Sequence, residues 1–533
     1  MYAHEALART LHDGGVRELF GLLGDANLHV VRSFTGHAGT RYVPTASEGA
    51  AVLAAIGYAQ VSGRLGVATV THGPGLTNTV TALLEAQRGR VPLLLLAGDT
   101  PIAARDHIQD VDQSPIVAAS GAAFQQLRSA ASAADDLAAA MRRALTERIP
   151  VVANMPIDLL WNEVDYTPTF SGSTAAPTPE PDGDAVEDAV GVLASARRPI
   201  VLAGRGAAVS GAAPKLLELA TRLGAPVATT LRGKDLFAGQ PHDLGIFGSL
   251  SDEAALEVIG RADCVIAFGC GLNQWTAAEG SLLAGKGIVH VDSDPGRLRR
   301  FSPVTVAVAG DAARTADALI RLLDEAEVAP TRFVDEALPL LAARRAPLDE
   351  SAGDTPLDLP TALRLVDAAV PGERTLVIDN GRFILKAFTM LHVEHPRLYA
   401  HAVNFGAIGL GMGTALGVSY AEPERPVLIA VGDGGFGLSG LSDLVTAVTQ
   451  HRRIVVLLLN DGAYGAEYVQ LRDRGFDPAL ATLDWPHFGP IARAIGAQGH
   501  TVRTVGELDK ALSATDFTLG PVLFDVHLDP DYV

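Results

Sequence analysis

Apolar residues along the chain fall into two kinds of run. Short, unbroken runs that are β-branched or leucine-rich recur from end to end. They include Val67–Val70, Leu93–Ala97, PIVLAGRG from Pro199, DCVIAFGCG from Asp263, GIVHVDSDP from Gly287, TLVIDNG from Thr375, Val427–Val431, Ile454–Leu459 and GPVLFDVHLDP from Gly520. Such runs predict strands buried on both faces. Between them, apolar positions recur every three or four residues, as in Leu359–Ala369 and Leu438–Gln450, which predicts amphipathic helices. Alternating strands and helices give parallel sheets whose strands all deliver their C-terminal ends to one edge. Two stretches lack either period and read as linkers: YTPTFSGSTAAPTPEPDGD (Tyr166–Asp184) and RRAPLDESAGDTPLDLP (Arg344–Pro360). The expected architecture is α/β, with three doubly wound parallel-sheet domains at 1–165, 185–330 and 355–533.

Length agrees, because 533 residues exceed what one hydrophobic core organises. Charged residues are few at 19% and hydrophobic ones many at 48%, as expected where much surface is buried. A formal net charge of −19 argues against a nucleic-acid or acidic-membrane partner. The two cysteines, Cys264 and Cys270, exclude a disulfide framework and read as buried, inert thiols. The opening MYAHEALARTLHDGGV mixes acids and bases, unlike a signal peptide. No apolar run reaches the roughly 20 residues of a membrane span, so a cytoplasmic protein is expected.

Chemistry concentrates in AVGDGGFGLSGLSDLVTAVTQHRRIVVLLLND (Ala430–Asp461). Asp433 ends one predicted strand and Asn460 the next, 27 positions on, so a parallel pair brings the two oxygen ligands side by side. Either alone reads as an ordinary turn acid or turn amide. Together, with NDG at 460–462, they suit one hard cation. Two such ligands leave Mg²⁺ under-neutralised, and a diphosphate would complete its shell. Gly434 and Gly435 would let backbone N–H groups approach the phosphates. AGRGAAVSG in the middle segment has Gly204 and Gly206 but Val209 where a third glycine belongs, and so reads as a tight strand-to-helix turn rather than a nucleotide loop.

GDG followed, one helix and one strand later, by asparagine and glycine resembles the diphosphate signature of thiamine-diphosphate enzymes. That family often has two successive asparagines; here the pair is Leu459–Asn460, and the metal-binding member is kept. The resemblance implies that Asp433, Asn460 and the Gly462 carbonyl hold Mg²⁺. It extends the cofactor-binding set to Ala463, Tyr464 and Gly465, and to Asn380, Gly381 and Arg382 in DNGRF. Arg382 is equally open to a substrate carboxylate. EGAAVLAAIGYAQVSG from Glu48 resembles the segment whose glutamate activates the coenzyme's aminopyrimidine; read alone, Glu48 is a helix N-terminal acid. THGPGLTN resembles the family's Gly73–Pro74–Gly75 turn, and NFGAIGLGMGTALGV puts Ile408 as the apolar wedge with Gly406 beside it. Because the family joins first and last domains across subunits, a homodimer or homotetramer is implied.

The likeness covers nearly the whole chain and is closest to the acetolactate-synthase-like branch of 2-oxo acid decarboxylase–carboligases. It implies a transferase or lyase that decarboxylates a 2-oxo acid and ligates the product to a second carbonyl. A non-ligating decarboxylase, or a C–C lyase, is the alternative, and a flavin-dependent oxidase a more remote one. ARDHIQDVDQ (Ala104–Gln113) keeps Gln109 and Asp112 but has Ile108 where the branch has phenylalanine, which should reshape the acceptor pocket. The branch's flavin-associated run is replaced by GCGLNQWTAAEG, so FAD is not expected. The short stretch after DVHLDP predicts an open acceptor channel. His72 and His107 are candidate proton handlers and Gln109 a candidate substrate-facing amide, though lone turn histidines are commonly structural. His4, His12 and His37 show no constellation and read as surface residues.

Overall fold

The apolar runs become strands of three six-stranded, wholly parallel sheets in a computed structural model, which describes residues 1–103, 106–168, 179–343 and 355–531. The first sheet holds β1 (Glu18–Gly21), β2 (Arg41–Pro44), β3 (Gly66–Val70), β4 (Leu93–Asp99), β5 (Ala123–Gln126) and β6 (Pro150–Pro156), in the order β2-β1-β3-β4-β6-β5. The second holds β7 (Pro199–Ala203), β8 (Val227–Thr229), β9 (Asp243–Ile246), β10 (Cys264–Phe268), β11 (Gly287–Asp292) and β12 (Val306–Ala309), ordered β12-β11-β10-β7-β8-β9. The third holds β13 (Thr375–Ile378), β14 (Tyr399–His401), β15 (Val427–Gly432), β16 (Ile454–Asn460), β17 (Gln498–Val502) and β18 (Val522–His527), ordered β14-β13-β15-β16-β18-β17. The first and third sheets thus share one topology. No helix among the described residues is long and apolar enough to cross a membrane. Parts of both expected linkers, and Ala104 and Arg105, lie outside the described residues.

Two compact bodies result. One comprises residues 1–175, 351–391 and 399–533, the other 176–350 and 392–398. In the first body, β3 and β4 share one apolar core with β15 and β16. The helices Glu48–Ser62 and Gly411–Ala421 weld it: both carry apolar residues all round and are almost wholly buried, the pattern of a helix with no solvent face. Their backbones touch. A Cβ on Gly57 would stand 2.1 Å from the Thr414 carbonyl oxygen, and one on Gly417 only 1.7 Å from that of Ala54. Only glycine fits at either crossing.

The helix expected over Leu438–Gln450 is present and starts earlier: helical backbone runs from Asp433 to Thr449, with a π-helical turn at Phe436–Gly440. The cause is glycine. Gly437 has the Trp485 ring where a Cβ would sit, at 2.4 Å, and Gly440 has the Phe436 ring, also at 2.4 Å, so packing rather than propensity sets the backbone there.

In the second body the AGRG turn is explained by packing. A Cβ on Gly204 would meet the Gly269 oxygen at 2.5 Å, and one on Gly206 the Gly269 Cα at 2.7 Å. The glycines let two strand-exit turns approach each other. Cys264 and Cys270 are buried and unpaired, and burial pushes both thiols up to about 12, which suits inert packing residues. In the first body His4 is buried, not superficial: it stacks on Tyr2, meets Trp161 edge-on and pairs with Ser33 Oγ at 2.9 Å.

Candidate functional site

Parallel pairing of β15 with β16 puts Gly432 opposite Leu459, so the next residues, Asp433 and Asn460, leave the sheet side by side. This edge flanks the gap between β13 and β15, where the strand order reverses and doubly wound sheets form their crevice. Asp433 is buried, and its Oδ2 has no hydrogen-bond partner among the described residues. Burial, then the neighbouring Asp461 carboxyl, push Asp433 upward in pKa. Burial also raises Asp461, against the opposing pull of the Ala463 N–H and the Arg382 charge. Two carboxyls in one buried corner, one with an idle oxygen, fit a divalent cation.

The ligand cradle is equally bare of side chains. A Cβ on Gly434 would lie 2.8 Å from the Tyr464 ring, and one on Gly435 would lie 3.0 Å from Asp379 Oδ2 and from the Gly409 N. Asn460 Nδ2 donates to Asp525 Oδ1 at 2.9 Å, and its Oδ1 accepts the Gly462 N–H at 3.2 Å. Gly462, at φ +64°, turns the chain. Its carbonyl accepts the Leu483 N–H at 2.7 Å, and the oxygen's second lone pair stays available. Ala463 N–H reaches Asp461 Oδ1 at 3.3 Å, and Tyr464 N–H the Ala481 carbonyl at 2.8 Å. Gly465 opens the next helix with Asp461 Oδ2 2.4 Å from its would-be Cβ.

Asp379 forms the opposite wall. Fully buried, it accepts the N–H groups of Asn380, Gly409 and Leu410 at 2.8, 2.9 and 3.2 Å. Burial still pushes it up to about 7. Asn380 Nδ2 donates to the Gly406 carbonyl at 2.6 Å. The loop carrying half-buried Ile408 is thereby tied at both ends, and Gly381 sits in the same strand exit. Arg382 is engaged by the chain itself, donating to the Pro530 carbonyl.

The edge of the first sheet gathers the other candidates. Glu48 opens its helix just after Ser47, whose Oγ caps the Ala50 N–H. It is half-buried, and its Oε2 accepts from Asn78 Nδ2 at 3.1 Å. Gly73, at φ +56°, has the Gln109 carbonyl 2.2 Å from where a Cβ would be and donates its N–H to Gln113 Oε1. Pro74 and Gly75 begin the single helical turn Pro74–Thr77. His72 is buried, with its ring 5.1 Å from that of His107 and its Nε2 3.8 Å from Asp25 Oδ1. The Gln109 N–H donates to His107 Nδ1 at 3.2 Å. Between them Ile108 is 96% exposed.

The candidates thus fall into two groups. One gathers Glu48, His72, His107, Gln109 and the Gly73 turn, and the other gathers Asp433, Asn460, Gly462 and the Ile408 loop. Among the described residues no hydrogen bond or ion pair joins Glu48 to the second group. Asp25, Asp379, Asp461 and Asp525 were missed in the sequence; the signal for Asp525 was an acid inside the apolar strand VLFDVH. His487, Asp525 and His527 place possible ligand atoms within 4.8 Å of one another. Asp525, however, is already filled by Asn460, by the Phe488 N–H at 2.9 Å, by His527 Nε2 at 3.3 Å and by Thr501 Oγ1 at 3.4 Å. The trio is a hydrogen-bond hub.

Comparison with known proteins agrees with the three-sheet fold. Residues 1–116 match the family model "Thiamine pyrophosphate enzyme, N-terminal TPP binding domain", 186–319 the "central domain" and 379–526 the "C-terminal TPP binding domain". The chain is 32% identical to "Probable 2-ketoarginine decarboxylase AruI" of Pseudomonas aeruginosa, over 96% of this chain and 91% of that one. It is 29% identical to a sulfoacetaldehyde acetyltransferase of Rhodobacter capsulatus, over 96% and 91%. It is 28% identical to "Putative acetolactate synthase large subunit IlvB2" of Mycobacterium tuberculosis, over 93% and 92%.

Proposed function

The chain belongs to the thiamine pyrophosphate enzyme family, and from that premise we propose that it decarboxylates a 2-oxo acid and joins the remaining acyl unit to a second carbonyl, an acetolactate-synthase-like carboligation. The bound coenzyme supplies the sink for the electron pair released with CO₂. The observation that carries the reading is Asp433 Oδ2, a buried acceptor with no hydrogen-bond partner among the described residues. Asp433, Asn460 Oδ1 and the Gly462 carbonyl would hold Mg²⁺, and the backbone of Gly434 and Gly435 would hold the diphosphate. Asn380 and Asp379 orient the Ile408 loop. Glu48 holds or releases a proton at its carboxyl. As the family resemblance implies, Glu48 of one copy would serve the Asp433 group of another, in a homodimer or homotetramer. The exposed Ile108 leaves room at the rim for an acceptor.

A second reading, a non-ligating decarboxylase or lyase, is favoured by one feature. His72, Asp25 and His107 make a proton-donating cluster beside the Gly73 turn. Purified protein with Mg²⁺, coenzyme and a panel of 2-oxo acids, with and without aldehydes, separates the two by product mass. A ketol combining donor and acceptor supports carboligation. Free aldehyde alone supports a non-ligating decarboxylase, and the absence of CO₂ release across the panel overturns carboligation and decarboxylation alike, whereas a lyase is recognised by cleavage of an added ketol to two carbonyls.

A further inference from the structure

We propose that Asp525 is a positioning residue that dictates which end of the Asn460 amide faces the cation site. The inference rests on the reading of Asn460 as a cation ligand. An asparagine amide has an accepting end and a donating end of nearly the same shape, and only the oxygen can bind a cation. A neighbour must therefore choose the orientation. Asp525, with no exposed surface, meets Asn460 Nδ2 through Oδ1 at 2.9 Å. A carboxylate only accepts, so the NH₂ end is claimed on that side. The oxygen must face away, toward the Gly462 N–H at 3.2 Å and the corner shared with Asp433.

Asp525 is itself held from behind. Its Oδ2 accepts the Phe488 N–H at 2.9 Å, with His527 Nε2 at 3.3 Å and Thr501 Oγ1 at 3.4 Å. Register locks it too, because Leu458 and Thr501 sit opposite Asp525 on its two neighbouring strands. The strand β18 thus reaches Asn460 through one carboxylate. Partners of this kind behind a metal ligand are commonly worth 10–100-fold in metal affinity.

Reversing the polarity of the pair tests the idea. In Asp525→Asn, the backbone donor at Phe488 keeps an oxygen at the Oδ2 position, so the new NH₂ points at Asn460. Two donors then face each other, Asn460 turns over, and an NH₂ confronts the cation. In Asn460→Asp, two carboxylates meet instead. Combining Asn460→Asp with Asp525→Asn restores one donor and one acceptor and returns an oxygen to the cation side. Coenzyme binding is titrated with Mg²⁺ at fixed thiamine diphosphate, followed by equilibrium dialysis, with the fold checked by circular dichroism.

Asp525→Asn is expected to need about 10–100-fold more Mg²⁺, and the double variant, in which a carboxylate oxygen faces the cation whichever way the side chain at 460 turns, to recover most of that loss. Wild-type Mg²⁺ demand in Asp525→Asn overturns the proposal, as does a double variant at least as impaired as Asp525→Asn. Asn460→Ala separates the two levels: unaltered Mg²⁺ demand there overturns the ligand reading itself, and the proposal with it. If Asp525→Asn does not fold, Asp525→Ala, which leaves the Asn460 amide without its orienting acceptor, takes its place: raised Mg²⁺ demand supports the proposal, and unaltered demand overturns it.

Discussion

At the scale of single residues, the site is a set of buried acids, each with a different reason for being there. Asp433→Ala removes the idle oxygen, so coenzyme should no longer co-elute with the protein through gel filtration in Mg²⁺. Glu48→Gln keeps the shape but not the proton, and turnover should fall about 10²–10⁴-fold while dialysis still finds coenzyme bound. Asp443 stands apart from the site. It is buried, neither oxygen has a partner among the described residues, and burial pushes it from 3.8 to about 7. A folded-state pKa raised in this way favours the fold while the group stays protonated, and that contribution is lost as pH rises through about 7. Asp443→Asn should therefore gain melting temperature over the parent at about pH 8, with little difference at about pH 4. A constant gap across that range would contradict it. Asp433 and Asn460 were legible in the sequence because both sit at strand ends a fixed distance apart. Asp379 and Asp525 were not, because an acid's partners are invisible until folding brings them in: Gly409 lies 30 positions from Asp379, and Asn460 lies 65 from Asp525.

At the scale of elements, strands were more readable than helix starts. Long apolar runs gave β3, β4, β15 and β16 nearly to the residue, and Leu359–Ala369 is a helix over the range expected. The helix expected from Leu438 begins at Asp433 and carries a π turn, features that helical periodicity cannot register because it does not see a ring packed against a glycine Cα. The same blindness hid the weld between Glu48–Ser62 and Gly411–Ala421, whose small residues look featureless in sequence. Gly417→Ala forces a methyl into the Ala54 carbonyl. Overpacking of this kind costs about 1–3 kcal/mol, to be read as a lower urea midpoint with unchanged slope.

At the scale of the whole molecule, the proposed two-chain site makes a sharp statement about assembly. If Glu48 of one copy serves Asp433 of another, Glu48→Gln and Asp433→Ala are each dead alone but complementary. A heterodimer of the two carries one site with both residues intact and one with neither. Unfolding and refolding an equimolar mixture should restore about a quarter of wild-type activity, since half the dimers are mixed and half their sites are whole. Activity that stays at the level of the separate variants would instead put each site within one chain. The sequence spoke to this only through resemblance, since periodicity and composition are silent on which copy supplies which wall.

The weld between those two helices has a further bearing on how the protein is made. Glu48–Ser62 emerges from the ribosome with its apolar surface complete, but its mate begins at Gly411, about 350 residues later. At about 5–20 residues per second, the face of the early helix that meets Gly411–Ala421 waits tens of seconds for the segment that covers it, while its other faces pack on nearby β1 and β3. Synthesis of this enzyme therefore includes a long interval in which one apolar face stands exposed, and the hazard lies in translation rather than in the finished fold.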